Sequence, residues 1–383
     1  MIDTIILTLP ANHFYITEHQ RFSPSTAGLF QAPYYPLGKN GFFKCFQNPR
    51  IDDIKKGVYR PRLTAIRRIT DLGYQTVLKI EFSIPKLVFG NNFDEVSNTD
   101  FEDIVTVLYS RLYEMGIVVS LELLRKASVS GVHYSKNIVL TDYSTPYSIL
   151  KEFYKISMTK RLDLNQTDFR NEGHSLKWRT NDFELTFYDK IKDLEQSKIS
   201  EKRSIEKENE YQYDLFIPLQ KRKAFEILRM EIRLNSRRRI KATFDKLQIS
   251  SNYYFQSIFD EAKSKKILNH FLAELKSGYS LVSFRPSRYS ELLTELKRNN
   301  SKLTFLKALQ TIGFKLCVDE IGFRETQQIS KIFGKRSWDS AKRNLKKYSF
   351  PDSGYSIFEP LERALKEFTS LRIKKHFEHF ETL

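Results

Sequence analysis

Cutting a phosphodiester with a side chain requires a nucleophile, cations to take up the charge developing on the phosphate, and usually a metal held by carboxylates or imidazole. The polar strand faces of this chain supply candidates for each. Tyr188 ends a run in which Phe183, Leu185 and Phe187 alternate with Asp182, Glu184, Thr186 and Tyr188, and Asp189, Lys190 and Lys192 follow. A phenol thus stands beside ammonium groups, a setting that favours phenolate and stabilises a pentavalent phosphate. The plain alternative is that Tyr188, one of 20 tyrosines, closes its strand and packs its ring.

Glu81 and Glu231 each interrupt an otherwise apolar or basic strand, with Lys79 beside the first and Arg229 and Arg233 beside the second. Adjacent strands would bring the two carboxylates together as hard oxygen ligands for Mg²⁺ or Mn²⁺. The competing reading is cross-strand ion pairing on a solvated sheet face. His133, in Val132-His133-Tyr134-Ser135-Lys136-Asn137, adds an imidazole to a dense polar set and is a candidate ligand or phosphate contact, or simply a hydrogen-bonded structural histidine.

These residues need a scaffold, and 383 residues suffice for one large catalytic unit and a smaller one. Hydrophobic residues make up 40% and charged residues 28%, the usage of a chain that folds rather than one that stays disordered. Met1 to Leu9 reads as a strand, being too short for a membrane span and lacking the basic start of a signal peptide. Gln75 to Lys86 alternates as a strand. A helix follows, opened by Thr99-Asp100-Phe101-Glu102 as a capping box and stopped by Gly116. Ile117 to Leu121, Ala127 to Leu140, Leu176 to Tyr188 and Ile227 to Leu234 read as further strands, with a helix opened by Thr145-Pro146 between them. Lys192 to Glu210 is almost all charged or Ser, a solvated helix or excursion. After Ala242 the strands stop, and helices are expected over Tyr254 to Leu275, Ser287 to Lys297, Leu303 to Ile312 ending at Gly313, and on to Tyr348. The pattern predicts an α+β fold: a mostly antiparallel sheet with packed helices over 1–245, then a helical domain over 246–383.

Sixty-three Lys and Arg against 46 Asp and Glu give a net charge of +17, which attracts polyanions. Residues 325–348 read as a helix-turn-helix in which Gly334-Lys335-Arg336 turn and Ser337 caps the second helix. Trp338, Ala341, Leu345 and Tyr348 form its packed stripe, while Lys342, Arg343, Lys346 and Lys347 are left for phosphates or base edges. Arg237, Arg238, Arg239 and Lys241, together with Tyr59-Arg60-Pro61-Arg62 and Arg67-Arg68, suit phosphate tracking beside a cut site. A solvated basic surface reads the same way. Cys45 and Cys317 lie at neither disulfide-framework nor zinc spacing, which fits a reducing cytoplasm.

Four patches, in order over the first 245 residues, resemble the replication initiators of filamentous phages and related plasmids, nickase-ligases that start rolling-circle DNA synthesis. They are Met1-Ile2-Asp3 with Leu7 to Pro10; Glu81 to Leu87 with Gly90-Asn91-Asn92; Thr186-Phe187-Tyr188-Asp189-Lys190 with Leu194-Glu195; and Leu228-Arg229-Met230-Glu231-Ile232-Arg233. The resemblance implies that Tyr188 takes the 5′ phosphate and frees a 3′ hydroxyl for a polymerase, with Lys190 assisting. It also makes Glu81 and Glu231 active-site groups. Beside it, His133 is kept as a candidate metal ligand, and Arg229 and Arg233 as candidate DNA contacts. The implied partners are origin DNA, single-stranded at the nick and duplex beside it, and a host helicase and polymerase in a bacterial cytoplasm. The chain departs from the family in having no His-apolar-His pair, and in carrying Arg125-Lys126-Ala127 where relatives have Arg-apolar-Asp. The rival of another class is a non-catalytic DNA-binding initiator or repressor, which needs the basic surfaces and not Tyr188. A tyrosine recombinase is disfavoured, since its tyrosine lies on a helix near the chain end.

Overall fold

A computed structural model describes residues 1–31, 42–49, 53, 56–70, 73–140, 144–156, 167–170, 173–193, 226–279, 289–333, 335–348 and 357–372. Among the described residues, nine strands build one antiparallel sheet in the order β3-β4-β5-β1-β7-β11-β10-β9-β8. In chain order these are β1 (Ile2–Pro10), β3 (Phe42–Gln47), β4 (Arg62–Thr70), β5 (Gly73–Ser83), β7 (Ser128–Leu140), β8 (Thr167–Arg170), β9 (Ser175–Arg179), β10 (Phe183–Asp189) and β11 (Glu226–Leu234). A two-residue pair, β2 (Tyr15–Ile16) with β6 (Ile117–Val118), stands apart.

The period-2 pattern sorts each strand's side chains onto two faces. One face is apolar: Ile5, Leu7 and Leu9 of β1, Leu78, Ile80 and Phe82 of β5, Val132 and Ile138 of β7, Leu185 and Phe187 of β10, and Met230 and Ile232 of β11 are all buried. Helices lie on it because each carries an apolar stripe at 3.6-residue spacing. The helices are α1 (Phe101–Glu114), α2 (Pro146–Tyr154), α3 (Arg237–Lys246), α4 (Glu261–Tyr279) and α5 (Glu359–Glu367). Ile104, Val105 and Leu108 of α1, Ile149 and Phe153 of α2, Ile240 and Phe244 of α3, Leu268 and Leu272 of α4, and Leu361 and Leu365 of α5 join the strands in one core. Each such side chain contributes about 1.5–3 kcal/mol of burial.

The change from strands to helices near residue 245 therefore does not divide the core. Phe255 to Leu275 and Ile357 to Phe368 pack into the sheet's own core, because their stripes find the sheet's free apolar surface. Two smaller clusters are built by the intervening segment: Leu296, Leu303, Ala308 and Ile312, and Val318, Phe323, Trp338 and Leu345.

Several local expectations shift. The capping box is Ser97 with Asp100, whose carboxylate accepts from the Ser97 N–H at 2.6 Å, because a turn of 3-10 helix precedes α1. Ile117 to Leu121 gives only two strand residues before Ser120 caps a helix over Leu121–Arg125. Leu176 to Tyr188 is a hairpin of two strands rather than one run. The expected stop at Gly313 does not occur. The helix runs over Phe305–Ser330, and its break is at Gly322, with φ 83° and ψ 166°. Ser337 lies inside the next helix, Lys335–Lys347, and donates to the Phe333 carbonyl instead of capping. Residues 194–210 of the charged stretch lie outside the described residues. No helix among the described residues is long and apolar enough to cross a membrane.

Candidate active site

Four neighbouring strands, β1, β7, β11 and β10, bring the site together on the sheet's polar face. The register sets Thr4 against His133, His133 against Arg233, Ser135 against Glu231, Glu231 against Thr186, and Arg229 against Tyr188. Between Ile2 and Thr4 the β1 register shifts, leaving Asp3 as the extra residue of a bulge. A bulge re-aims a side chain out of strict alternation. Asp3, His133 and Glu231 each offer a ligand atom, and these atoms lie within 4.8 Å of one another.

The polar contacts are dense. Glu231 is 2% exposed; its Oε1 accepts from Arg233 Nε at 2.9 Å and lies 3.5 Å from His133 Nδ1. Its Oε2 accepts from the Tyr188 hydroxyl at 3.4 Å. Burial works against the charge of Glu231, but Arg233, His133 and Arg229 outweigh it and hold the carboxyl well below the usual range. The Tyr188 phenol goes the other way. Burial pushes it well above its ordinary value, and Arg229 opposes this without reversing it. The expectation that neighbouring cations favour phenolate is thus corrected, because dehydration of the phenolate outweighs the nearby charges.

Lys190 is fully buried. Its Nζ sits 5.6 Å from the Tyr188 ring centroid and 5.2 Å from that of Phe93. Burial, and then Arg229, lower its pKa to about 7. Among the described residues Lys190 Nζ, Thr186 Oγ1 and Arg229 Nε, all around Tyr188, have no hydrogen-bond partner. An unsatisfied buried polar group costs about 1–3 kcal/mol, so three at one place mark a site arranged for something other than stability.

Arg229, expected at a DNA-facing surface, is buried instead. Its guanidinium donates to the Asn92 carbonyl at 2.7 Å, Asn137 Oδ1 at 3.3 Å, Asp3 Oδ1 at 2.5 Å and Ser135 Oγ at 3.0 Å, and it is 2% exposed. The reason is the loop after residue 90, whose Asn92 and Phe93 cover this end of β11. Arg233 is 31% exposed and also meets Glu184. Arg237 is exposed, and Asp182 pairs with Arg239 at 2.8 Å and with the 88% exposed Arg238 at 3.4 Å. In the Lys335–Lys347 helix Arg343 is exposed and Lys342 half-buried, whereas the Lys346 side chain lies outside the described residues.

Glu81 is not part of the cluster. It faces Ile6 of β1 and Arg62 of β4, three strands from Glu231. The carboxylate beside Glu231 is Asp3, which the reading of the strands passed over. Its signal was present in the opening Met1-Ile2-Asp3, but a bulge cannot be read from alternation alone.

Two carboxylates and an imidazole form a donor set suited to a hard or borderline divalent cation, with coordination positions left for water or substrate. Asp3 and Glu231 are each already matched by a guanidinium. A cation would therefore add to a neutral cluster, as a phosphate arriving with it would remove charge again. Comparison with protein-family models, curated proteins and solved structures finds no match for this chain.

Proposed function

We propose that the chain nicks and rejoins single-stranded DNA through Tyr188, as a rolling-circle replication initiator of the filamentous-phage type. The observation that carries the reading is the 3.4 Å hydrogen bond from the Tyr188 hydroxyl to ionised Glu231, next to the Asp3–His133 pair. In the reaction the Tyr188 oxygen attacks phosphorus, the phenol proton passes to Glu231, and the bond to the 3′ oxygen breaks. The products are a 5′-phosphotyrosine and a 3′ hydroxyl, which takes up a proton as it leaves. The ester keeps the bond energy, so the 3′ hydroxyl can reverse the step and rejoin the strand.

Lys190, held against the Tyr188 ring, places positive charge or a proton donor beside the reacting phosphate. Asp3, His133 and Glu231 would hold Mg²⁺ or Mn²⁺, which supplies Lewis-acid stabilisation of the phosphate and favours phenolate. Arg237, Arg238 and Arg343 are exposed and would meet flanking phosphates of origin DNA, with helicase and polymerase as later partners in the bacterial cytoplasm. The test is covalent trapping. The protein is incubated with Mn²⁺ and a pool of random-sequence single-stranded oligonucleotides, then denatured. A DNA-protein adduct that Tyr188→Phe abolishes supports the reading. Absence of an adduct with bound DNA leaves a non-catalytic DNA-binding initiator.

A further inference from the structure

The polar face that carries Glu231 continues across the sheet to its other edge. Residues directly opposed in an antiparallel ladder share a face. Phe46, Thr64, Lys79 and Thr8 form one cross-strand row, Arg62, Glu81 and Ile6 the next, and Lys44 with Ile66 the row on the far side. Arg68, opposite Gln75, continues the same side. Ile6 in turn opposes Gly131, two residues before His133, so these rows and the Tyr188 cluster are on one surface.

Two features set this region apart. Cations crowd it: Lys79 is half-buried, and burial followed by the charges of Lys44 and Arg68 pushes its ammonium below its ordinary value, with Glu81 acting the other way. An aromatic ring stands among them, since Phe46 is 44% exposed on the same row as Lys79. Neighbouring arginines are differently used. Arg60 pairs with Asp53 and Glu114, and Arg67 is buried, donating to the Leu29 carbonyl. Concentrated like charge beside a solvated ring costs stability in the isolated protein, and a flexible polyanion that also carries flat rings relieves both costs.

We propose that Lys44, Phe46, Arg62, Arg68 and Lys79 form a subsite for single-stranded nucleic acid, with phosphates against the cations and an unpaired base stacked on Phe46. A duplex keeps its base faces stacked inside and offers nothing to that ring. Lys79 is three strands across and several residues along from Glu231, a separation of about 25 Å at ordinary strand spacing and rise. A single strand leaving the Tyr188 site spans that with a few nucleotides. The inference rests on the reading of single-stranded DNA as the substrate, and it assigns where the strand runs away from the cut.

The experiment is a salt titration of the full chain with a fluorescent oligothymidylate of about 20 nucleotides. Each phosphate contact on a single strand contributes about 0.7 to the slope of log K against log salt. The double variant Lys44→Gln with Lys79→Gln lowers the slope by about 1.4, and Phe46→Ser weakens binding about tenfold. Circular dichroism melts like those of the wild type keep folding out of the result. Wild-type binding that the three substitutions leave unchanged overturns the proposal. So does a wild type that ignores the oligothymidylate and binds phosphatidylglycerol vesicles or polyglutamate instead. Adduct formation is scored separately: patch-dependent binding without an adduct sinks the role of Tyr188 and leaves the subsite standing, and an adduct with patch-independent binding does the reverse.

Discussion

Asp3 Oδ1 and Arg229 Nη2 meet at 2.5 Å across 226 residues of sequence, joining the first strand to the eleventh. The same guanidinium holds Asn92, Asn137 and Ser135, so it ties the covering loop and β7 to the start of β1 at once. Removing one partner of a buried pair leaves the other charge without compensation, at a cost of about 3–5 kcal/mol. Arg229→Met is expected to lose that much in urea unfolding. Arg233→Met, at a side chain 31% exposed, is expected to lose clearly less. Equal losses would show that Arg229 is not the anchor.

Lys190 gives a pH signature. Its folded pKa is lowered to about 7, while an unfolded lysine titrates near ~10.4. Between these values the unfolded chain binds the extra proton, so stability rises with pH across that window and the penalty is fully present below it. Lys190→Met is expected to raise the melting temperature at neutral pH and to flatten the rise between about pH 7 and pH 10. A variant with the wild-type pH profile would mean that the ammonium is solvated or paired.

Much of this was readable from the residues, and the failures have physical causes. Alternation located β5, β7, β10 and β11 because one face of each is buried and the other polar. It also suggested that the polar faces are solvated, which Arg229 and Glu231 refute: the loop through Asn92 covers Arg229, Glu231 is enclosed by Arg233, His133 and Tyr188, and coverage by distant residues leaves no local periodicity. The pairing of Glu81 with Glu231 failed because strand order is not written in strand pattern. The choice of β1 and β7 as the strands between them depends on the whole sheet. Gly313 was misread as a helix stop and Gly322 passed over, since a glycine's φ is set by what it packs against.

The donor set predicts metal selectivity by residue. Full-length protein is expected to bind Mn²⁺ in calorimetry, with Asp3→Asn and Glu231→Gln each weakening it by more than about tenfold, as loss of a charged ligand requires. Glu81→Gln, three strands away, is expected to leave the affinity unchanged. Equal loss in all three would show a diffuse electrostatic effect, and no loss in Asp3→Asn would remove it from the ligand set.

Gly313 and Gly322 occupy the same helix segment and are expected to respond oppositely to alanine. Gly322 holds φ 83° and ψ 166°, a backbone region open in practice to glycine alone, and an added Cβ would stand 3.0 Å from the Lys155 Cα. That close approach lets the Phe323 N–H donate to the Lys155 carbonyl at 3.2 Å. It docks the helical segment against the end of α2, whose Phe153 packs edge-on to Phe187 of the Tyr188 strand at 4.9 Å. Gly322→Ala is expected to cost about 1–3 kcal/mol and to increase proteolysis between residues 305 and 347. Gly313 is helical with open space around its Cβ position, so Gly313→Ala is expected to stabilise by about 0.5–1 kcal/mol. Stabilisation by both substitutions would mean that the break at Gly322 is absent in solution and the two helical halves are continuous.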